Sequence, residues 1–321
     1  MSVGRIFVAI VAVVMVSDGA VADTWPSRPI RAIVPFSAGS ASDIIPRVTL
    51  EQVSAQLGQP IVVENRVGAS GTIGVAAVAK AEPDGYTLLA NSGAHTITPW
   101  TMTNLAYDVE KDFVSVAPMA ILPNVLVIAP SKGIKTAREL VEAARAKPGS
   151  MTYASAGAGS ATHVSGELFR LSGKFEAVHV PFKGGPEALT EVMMGRVDFY
   201  FVPILPALQL IREGKLLALA VSTSRRSSAL PEVPTTLELG FPNSEYNFWV
   251  GLFLPAKTPK DVVARLNDET RKAVQSAALK ERFGKLAAEP MVMTQGEFDD
   301  FIRKDIAAMG ELAKASGLGA K

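Results

Sequence analysis

Two loops of small residues could bind an anion. The first loop, residues 36–43, contains Gly39 and three serines, and the second loop, residues 156–163, contains two glycines, Ser160 and Thr162. Each loop follows a predicted strand and precedes a predicted helix, where free backbone N–H groups and the positive end of the helix dipole favour a carboxylate. If the loops belong to separate lobes across a hinge, they predict a cleft that holds a small acid at its ends without any arginine.

The candidate ligand-binding residues come from these loops and from three neighbouring segments. They are Phe36, Ser37, Ala38, Gly39, Ser40, Asp43, Ser92, Ser155, Gly157, Gly159, Ser160, Thr162, His163 and Lys183. An ordinary structural explanation exists for each loop, because small residues before a helix are common as turns and caps. Acidic residues such as Asp43 are favourable in the first turn of a helix whether or not a ligand binds there. His163 could bind a carboxylate or be a buried structural residue, and Lys183 could be functional or merely solvated.

Two further segments of small residues are ambiguous. Residues 68–74 contain three glycines but lack the Gly-Lys-Ser/Thr ending of a P-loop, so a structural loop is favoured over a phosphate site. Residues 91–95 follow a predicted strand and either line the same cleft through Ser92 or form a simple turn.

Composition excludes several other chemistries. The 321 residues include no cysteine and three histidines, so thiol nucleophiles, disulfides and thiolate zinc sites are absent. Neither a G-x-S-x-G nor an H-E-x-x-H motif occurs. The net charge is +1, and without a basic run a nucleic-acid partner is not expected. We expect no catalysis, no cofactor and no metal, although a pair of carboxylates brought together by folding could still act as acid and base.

Alternating strands and helices must position the two loops. A helix is predicted to open at Ser42 or Asp43, with Pro46 in its first turn, and to stop at Gly58. Another begins with a capping box formed by Thr136 and Glu139. The β-branched runs that separate such helices are residues 30–34, 61–64, 87–90, 125–129, 151–155, 177–181, 197–202 and 216–222. This alternation predicts an α/β fold.

The C-terminal part and two extended stretches predict the domain organisation. Helical patterns at residues 259–277, 279–287 and 297–315 indicate a helical cover. Apolar stretches near residues 113–127 and 246–254 look like two crossings between lobes. We therefore expect lobe 1 to comprise residues 23–121 plus 248–321, and lobe 2 to comprise residues 122–247.

The first 22 residues have the pattern of a signal peptide. Arg5 precedes an apolar run at residues 6–16, and small residues follow at Ala20 and Ala22. Eleven apolar residues are too few for a membrane span, which takes about 20. We expect cleavage after Ala22 and an exported, soluble mature chain.

A collinear series of short motifs runs along the mature chain. The motifs are residues 25–30 (WPSRPI), 34–36 (VPF) with Gly39 and Asp43, 62–66 (VVENR), 83–89 (PDGYTLL), 153–157 (YASAG) and 178–184 (VHVPFKG). In this order they resemble the Bug-type periplasmic solute-binding receptors of tripartite tricarboxylate transporters. The resemblance implies a two-lobed type II periplasmic binding protein that closes on a small carboxylate-bearing solute. In such a protein the two loops would hold the solute between them. It also implies a monomer that delivers the solute to membrane transporter subunits or to a sensor.

Two positions depart from that family's pattern. Ser40 replaces a second glycine that many members carry, and Val202 stands where many have an aspartate after Phe201. The loss of that acidic residue puts an amino-acid ligand in doubt and favours a carboxylate with an apolar or aromatic body. Two rival functions remain open at this point: a secreted hydrolase or lyase acting on a small organic acid, and a ligand-binding regulatory module.

Overall fold

The computed structural model of the protein describes residues 25–317. The strands, in chain order, are β1 (Ile30–Val34), β2 (Ile61–Asn65), β3 (Thr87–Ser92), β4 (Phe113–Ile128), β5 (Met151–Ser155), β6 (Ala177–Pro181), β7 (Phe199–Pro203), β8 (Leu217–Val221), β9 (Asn247–Pro255) and β10 (Glu289–Pro290). The helices are α1 (Ala41–Leu57), α2 (Thr72–Ala79), α3 (Ala94–Thr101), α4 (Ala137–Ala146), α5 (Ala161–Gly173), α6 (Gly185–Met193), α7 (Ile204–Arg212), α8 (Lys260–Gln275), α9 (Ala277–Lys285) and α10 (Gln295–Ser316). The predicted α/β alternation is confirmed.

A single long strand, β4, joins two groups of strands. The sheet order is β2-β1-β3-β9-β4-β7-β5-β6, and β8 and β10 also pair with β4. The first part of β4, from Phe113 to Pro123, pairs with β9, and its last part, from Asn124 to Ile128, pairs with β7. The fold is therefore the two-lobed α/β arrangement that the sequence predicts, with β4 extending from one group into the other. The lobe boundaries at residues 121/122 and 247/248 stay a prediction.

Within each group of strands, parallel pairing places one of the two loops beside the carboxyl ends of the adjacent strands. β1 pairs in parallel with β2 and β3, and β5 pairs in parallel with β6 and β7. The carboxyl ends of parallel strands meet at one edge of a sheet, which is where open α/β sheets bind ligands. The first loop follows β1, and the second loop follows β5.

Each lobe buries apolar residues on both sides of its sheet. Ile33 and Ala32 in β1 have no exposed surface, although consecutive side chains of a strand point to opposite faces. In the second group of strands, Phe199 and Tyr200 of β7 are likewise fully buried. Such sheets are covered by helices on both faces, which is typical of parallel α/β proteins.

Helix α1 differs in detail from its prediction. It begins at Ala41 with Ser40 as the N-cap, and Gly58 ends it in the left-handed conformation, with φ of 68°. Pro46 is therefore the sixth helical residue and lies beyond the first turn, where a proline leaves the Ser42 carbonyl without its usual donor.

The predicted capping box of α4 is also shifted. The Thr136 hydroxyl accepts from the Glu139 N–H at 3.1 Å, but the Glu139 carboxylate accepts from Lys135 N–H at 2.8 Å instead of from Thr136. By contrast, α10 has a complete capping box between Thr294 and Glu297.

Four short helices were not predicted, namely α2, α3, α6 and α7. Each has eight or nine residues, which is too short to display a clear helical period. The segment 68–74, interpreted as a loop, contains the beginning of α2. The segment 91–95 contains the end of β3 and the beginning of α3.

The N-terminal predictions concern residues that are not described. The apolar run at residues 6–16 and the expected cleavage after Ala22 lie outside residues 25–317. Within that range, no helix has the length and apolar character needed to cross a membrane.

Candidate functional site

A cavity lies where the two loops approach each other. It is narrow, with about 30 Å³ accessible to the centre of a water molecule, and it is partly open to solvent. Its lining residues are Phe36, Ser40, Ala41, Ser42, Ser92, Ala156, Ser160, Ala161, Thr162, Gly185, Pro186, Tyr200, Val202, Pro203, Pro206 and Phe248. Strands β1, β3, β5 and β7 all direct their carboxyl ends toward it, as expected for an α/β ligand site.

The beginning of α1 presents free donors to this cavity. Asp43 N–H and Ile44 N–H both donate to the Ser40 carbonyl, at 3.0 and 2.9 Å. The preceding N–H groups, those of Ala41 and Ser42, have no acceptor among the described residues, as is usual in the first turn of a helix. Because both residues line the cavity, an anion there could accept hydrogen bonds from α1.

Asp43 shapes the first loop instead of lining the cavity. One carboxylate oxygen accepts from the Gly39 N–H at 3.0 Å, and the other accepts from Arg47 Nε and Asn65 Nδ2, both at 2.8 Å. Gly39 has a φ of 79°, which glycine adopts without strain. The buried carboxylate therefore ties the turn at Gly39 to α1 and to β2.

The second loop is closed by its own side chains. The Ser160 hydroxyl accepts from His163 N–H at 3.3 Å, and the Thr162 hydroxyl accepts from Ala156 N–H at 2.9 Å. The Gly159 N–H donates to His163 Nδ1 at 3.0 Å. The N–H groups of Ala161 and Thr162 have no acceptor in the described part of the chain, and both residues line the cavity. The beginning of α5 thus offers donors in the same way as α1.

Buried His163 and half-buried His179 support the second loop. Burial, with a smaller contribution from Arg170, lowers the pKa of His163 to about 4. Burial, followed by repulsion from His163, lowers the pKa of His179 to about 3. Both imidazoles are therefore neutral near pH 7, so Nδ1 of His163 is free to accept the hydrogen bond from Gly159.

A serine and a histidine also lie close together here without forming a nucleophilic site. The Ser155 hydroxyl lies 2.6 Å from His179 Nε2 and also hydrogen bonds the backbone of Gly157. Ser155 is completely buried and does not line the cavity. The pair holds the turn at Gly157, and a substrate in the cavity would not meet the hydroxyl.

Two buried hydroxyls in the cavity wall belong to Ser40 and Tyr200. The Ser40 hydroxyl makes no cap hydrogen bond to α1 and has no partner within the described residues, whereas the Tyr200 hydroxyl has the Thr162 hydroxyl beside it. Burial raises the pKa of Tyr200, an effect that the nearby Thr162 hydroxyl offsets only in part, so Tyr200 keeps its proton and can donate. An unpaired buried polar group is costly, and the Ser40 hydroxyl would gain a partner if an anion occupied the cavity.

Five of the predicted ligand-binding residues line the cavity: Phe36, Ser40, Ser92, Ser160 and Thr162. The other nine do not. Lys183 is exposed and is not part of the lining. Ser37, Ala38, Gly39 and Asp43 belong to the turn of the first loop, and Ser155, Gly157, Gly159 and His163 shape the second loop. Direct ligand contact for the predicted set stays a prediction.

Sequence reasoning missed the residues that β7, α6, α7 and β9 contribute. These are Gly185, Pro186, Tyr200, Pro203, Pro206 and Phe248, together with Val202, which was noted only as a departure from a family pattern. Because β7 is adjacent to β5, its carboxyl end faces the same edge of the sheet. The strand end at residues 199–203 was the one signal that could have identified Tyr200 and Pro203.

The two lobes touch through small residues beside the cavity. A Cβ added to Gly184 would overlap the Ser37 hydroxyl, and one added to Gly157 would lie 2.7 Å from the Ser70 hydroxyl. Cβ atoms do not approach other heavy atoms so closely. The glycines at positions 184 and 157 therefore allow Ser37 and Ser70 of the first lobe to contact the second lobe.

Comparisons with known proteins agree with this architecture. The model of the tripartite tricarboxylate transporter family receptor matches residues 45–318. The chain is 35% identical over 298 residues to Protein BugT of Bordetella pertussis, covering 92% of this chain and 91% of that one. A solved structure, R. palustris Rpa4515 with adipate, is 30% identical with a TM-score of 0.89, covering 92% of this chain and all of that one. MatC from Rhodopseudomonas palustris with bound malate is 31% identical with a TM-score of 0.85, covering 90% of this chain and 99% of that one.

Proposed function

This chain belongs to the tripartite tricarboxylate transporter receptor family, and we propose from that premise that it captures a small carboxylate-bearing solute between its two lobes. Its relatives and structural neighbours are solute-binding receptors and not enzymes. The hydrolase or lyase alternative also finds no support in the cavity, whose lining in the described chain includes no aspartate, glutamate or histidine.

One observation carries the proposal: the residues with free N–H groups at the beginnings of α1 and α5 line the same cavity. Ala41 and Ser42 contribute from one side, and Ala161 and Thr162 contribute from the other. Together with the helix dipoles, these donors favour an anion of small size. The solved relatives hold adipate and malate, which are both small carboxylates.

The lobes proposed for this mechanism are residues 23–121 with 248–321, and residues 122–247. β4 runs from one lobe into the other, and the chain returns at the beginning of β9. We propose that these two crossings act as the hinge when the lobes close on the solute. The candidate ligand contacts are those predicted from the two loops, with the backbone of Ala41, Ser42 and Ala161 added.

Export and delivery complete the proposal. We expect cleavage after Ala22 to release a periplasmic, monomeric protein that passes its solute to membrane subunits of a tripartite transporter or to a sensor. The intact mass of the exported protein tests the cleavage site, and cross-linking in cell envelopes tests the partner.

Thermal unfolding of the purified protein with a panel of small acids, sugars and amines tests the binding function. A solute that binds only the native state at a hundredfold excess over Kd stabilises it by about 2.7 kcal/mol. We expect acids alone to raise the melting temperature and to be recovered unchanged. Stabilisation by sugars or amines but by no acid would refute the proposal, and accumulation of a product would favour the enzyme alternative.

A further inference from the structure

We propose that Asn65, at the end of β2, is a positioning residue for solute binding: it holds the first loop in the conformation in which α1 presents its donors to the cavity. This inference rests on the proposed function and concerns a residue that does not itself line the cavity.

The position of Asn65 follows from the strand pairing. β1 and β2 are parallel, and Asn65 lies opposite Val34, the last residue of β1. The first loop, residues 36–43, begins just after Val34. Asn65 therefore lies beside this loop, at the edge of the sheet where the strands direct their carboxyl ends toward the cavity.

The Asn65 amide joins the two ends of the first loop. Its Nδ2 donates to the Phe36 carbonyl at 2.9 Å and to the Asp43 carboxylate at 2.8 Å. Phe36 is the first residue of the loop and Asp43 is the last, so one side chain sets the distance between them. The Asp43 carboxylate in turn accepts from the Gly39 N–H in the middle of the loop at 3.0 Å.

The neighbours of Asn65 determine which way its amide points. Asn65 Oδ1 accepts from the Arg47 guanidinium at 2.8 Å, whereas the Phe36 carbonyl and the Asp43 carboxylate can only accept. Exchanging the amide oxygen and nitrogen would place oxygen against oxygen at two contacts. Both amide N–H groups are therefore used by the loop, and neither is left for a solute.

These bonds matter for binding because the donors of α1 lie between the two ends that Asn65 joins. Ser40 is the N-cap of α1, and Ala41 and Ser42 carry the free N–H groups. A loop that is already ordered before the solute arrives does not lose further conformational freedom on binding, and such preorganisation increases affinity. Loss of the Asn65 amide should loosen the donors of α1 and leave those of α5 in place.

Two measurements on Asn65→Ala test this role. The first is calorimetric titration with adipate and malate, the acids held by the solved relatives, or with the acid that most raises the melting temperature if neither binds. We expect the affinity to be at least tenfold lower than in the native protein. The second is hydrogen exchange of the solute-free protein, which should be faster in the peptide that contains residues 36–43.

Asn267→Ala is the matched control. Asn267 in α8 is buried, and its Nδ2 donates to the Val116 carbonyl at 2.8 Å. Neither residue lines the cavity. Removing this amide breaks a bond of the same kind elsewhere in lobe 1, so Asn267→Ala should lower the stability in urea unfolding without changing the affinity or the exchange of residues 36–43.

Asn65→Asp gives a pH profile that a purely structural residue would not give. The new carboxylate can still accept from Arg47, the cation that contacts both positions, but it lies against the Asp43 carboxylate. The affinity near neutral pH should therefore fall at least tenfold. Two carboxylates this close share a proton as the pH is lowered, and the shared proton restores the bond to Asp43. The ratio of native to variant affinity should decrease severalfold on acidification, whereas for Asn65→Ala it should stay constant.

Three results would overturn the inference and differ in their meaning. If folded Asn65→Ala binds as tightly as the native protein, the first loop does not depend on Asn65, while the carboxylate-binding function stands. If Asn65→Ala and Asn267→Ala lose affinity equally, the cause is general destabilisation and Asn65 has no positioning role. If no acid binds the native protein, the proposed function fails and a role of Asn65 in binding fails with it, whatever the exchange measurement shows.

Discussion

The imidazole rings of His163 and His179 lie face to face, with centroids 3.7 Å apart and planes 9° from parallel. His163 is in the first turn of α5 and His179 is in β6, so the stack joins the second loop to the adjacent strand. Through the Gly159 N–H to His163 Nδ1 hydrogen bond, this stack determines the backbone conformation just before the donors of Ala161 and Thr162.

Replacing His163 should loosen the second loop. The substitution His163→Leu leaves the buried Gly159 N–H without an acceptor, which costs about 1 to 3 kcal/mol of stability. We also expect it to weaken solute binding severalfold, because the adjacent donors are no longer held in place. Urea unfolding and calorimetric titration with the best acid of the panel measure the two effects.

A second substitution at the same position separates the hydrogen bond from the stack. In His163→Asn the amide oxygen can take the place of Nδ1 as acceptor, so this variant should keep more of its affinity than His163→Leu. Equal binding by the leucine variant and the native protein would show that the loop does not depend on this bond.

The two N-cap serines should respond differently to alanine. The Ser160 hydroxyl caps α5, and its loss should cost about 1 kcal/mol of stability. The Ser40 hydroxyl caps nothing, so Ser40→Ala should leave the free energy of unfolding within about 0.5 kcal/mol. Loss of the Ser40 hydroxyl should instead weaken the free energy of solute binding by about 0.5 to 3 kcal/mol, the range for a hydrogen bond to a neutral or a charged acceptor. Chemical unfolding without solute and titration with solute distinguish the two outcomes, and a large stability loss in Ser40→Ala would contradict the assignment.

A methyl group at Gly184 should hinder closure of the lobes. Its Cβ would overlap the Ser37 hydroxyl from the opposite loop, whereas its φ of −167° is extended backbone that alanine also adopts. Gly184→Ala is therefore expected to weaken solute binding at least tenfold while circular dichroism stays native.

Rescue and control variants complete that experiment. Adding Ser37→Gly to Gly184→Ala removes the overlapping side chain and should restore part of the affinity. Gly284→Ala in α9, where an added Cβ meets no atom within 4 Å, should not change binding. Failure of the double variant to recover any affinity would mean that the contact is not what limits closure.

The stability of the protein should decrease as the pH is lowered below 6.5, because His95 is buried and neutral in the folded state. Burial lowers its pKa to about 3, whereas in the unfolded chain the value is about 6.5. Below pH 6.5 the unfolded state binds a proton that the folded state does not bind. The stabilising contribution is therefore complete above pH 6.5 and is lost as the pH falls toward 3, by about 1.4 kcal/mol per pH unit.

The substitution His95→Phe tests this contribution directly. Neither ring nitrogen of His95 has a partner among the described residues, and phenylalanine can keep the stacking on Phe253 at 4.2 Å. Between pH 7.5 and 5.0, the variant should lose about 2 kcal/mol less stability than the native protein in urea unfolding. Tyr107→Phe is the control, because burial raises the pKa of Tyr107 and takes its titration further from this range. Identical pH dependence in His95→Phe and the native protein would refute the assignment.

The sequence alone determined the features that depend on local pattern. β-branched runs and helix start signals predicted the alternation of strands and helices, because side-chain periodicity and capping are properties of neighbouring residues. The same local signals predicted the first and second loops, since a glycine-containing turn before a helix is visible in the chain itself. Family motifs added the two-lobed fold, which the comparisons support.

Only the tertiary structure decided which side chains meet in the cavity. Tyr200 and Phe248 are 48 residues apart in sequence and belong to β7 and β9, and nothing in the chain around either one indicates that both line one cavity. Asp43 and His163 each had both a ligand-binding and a structural interpretation in sequence, and the fold gives them backbone N–H partners at Gly39 and Gly159. Strand order sets such neighbours, and strand order depends on long-range pairing that no local pattern encodes.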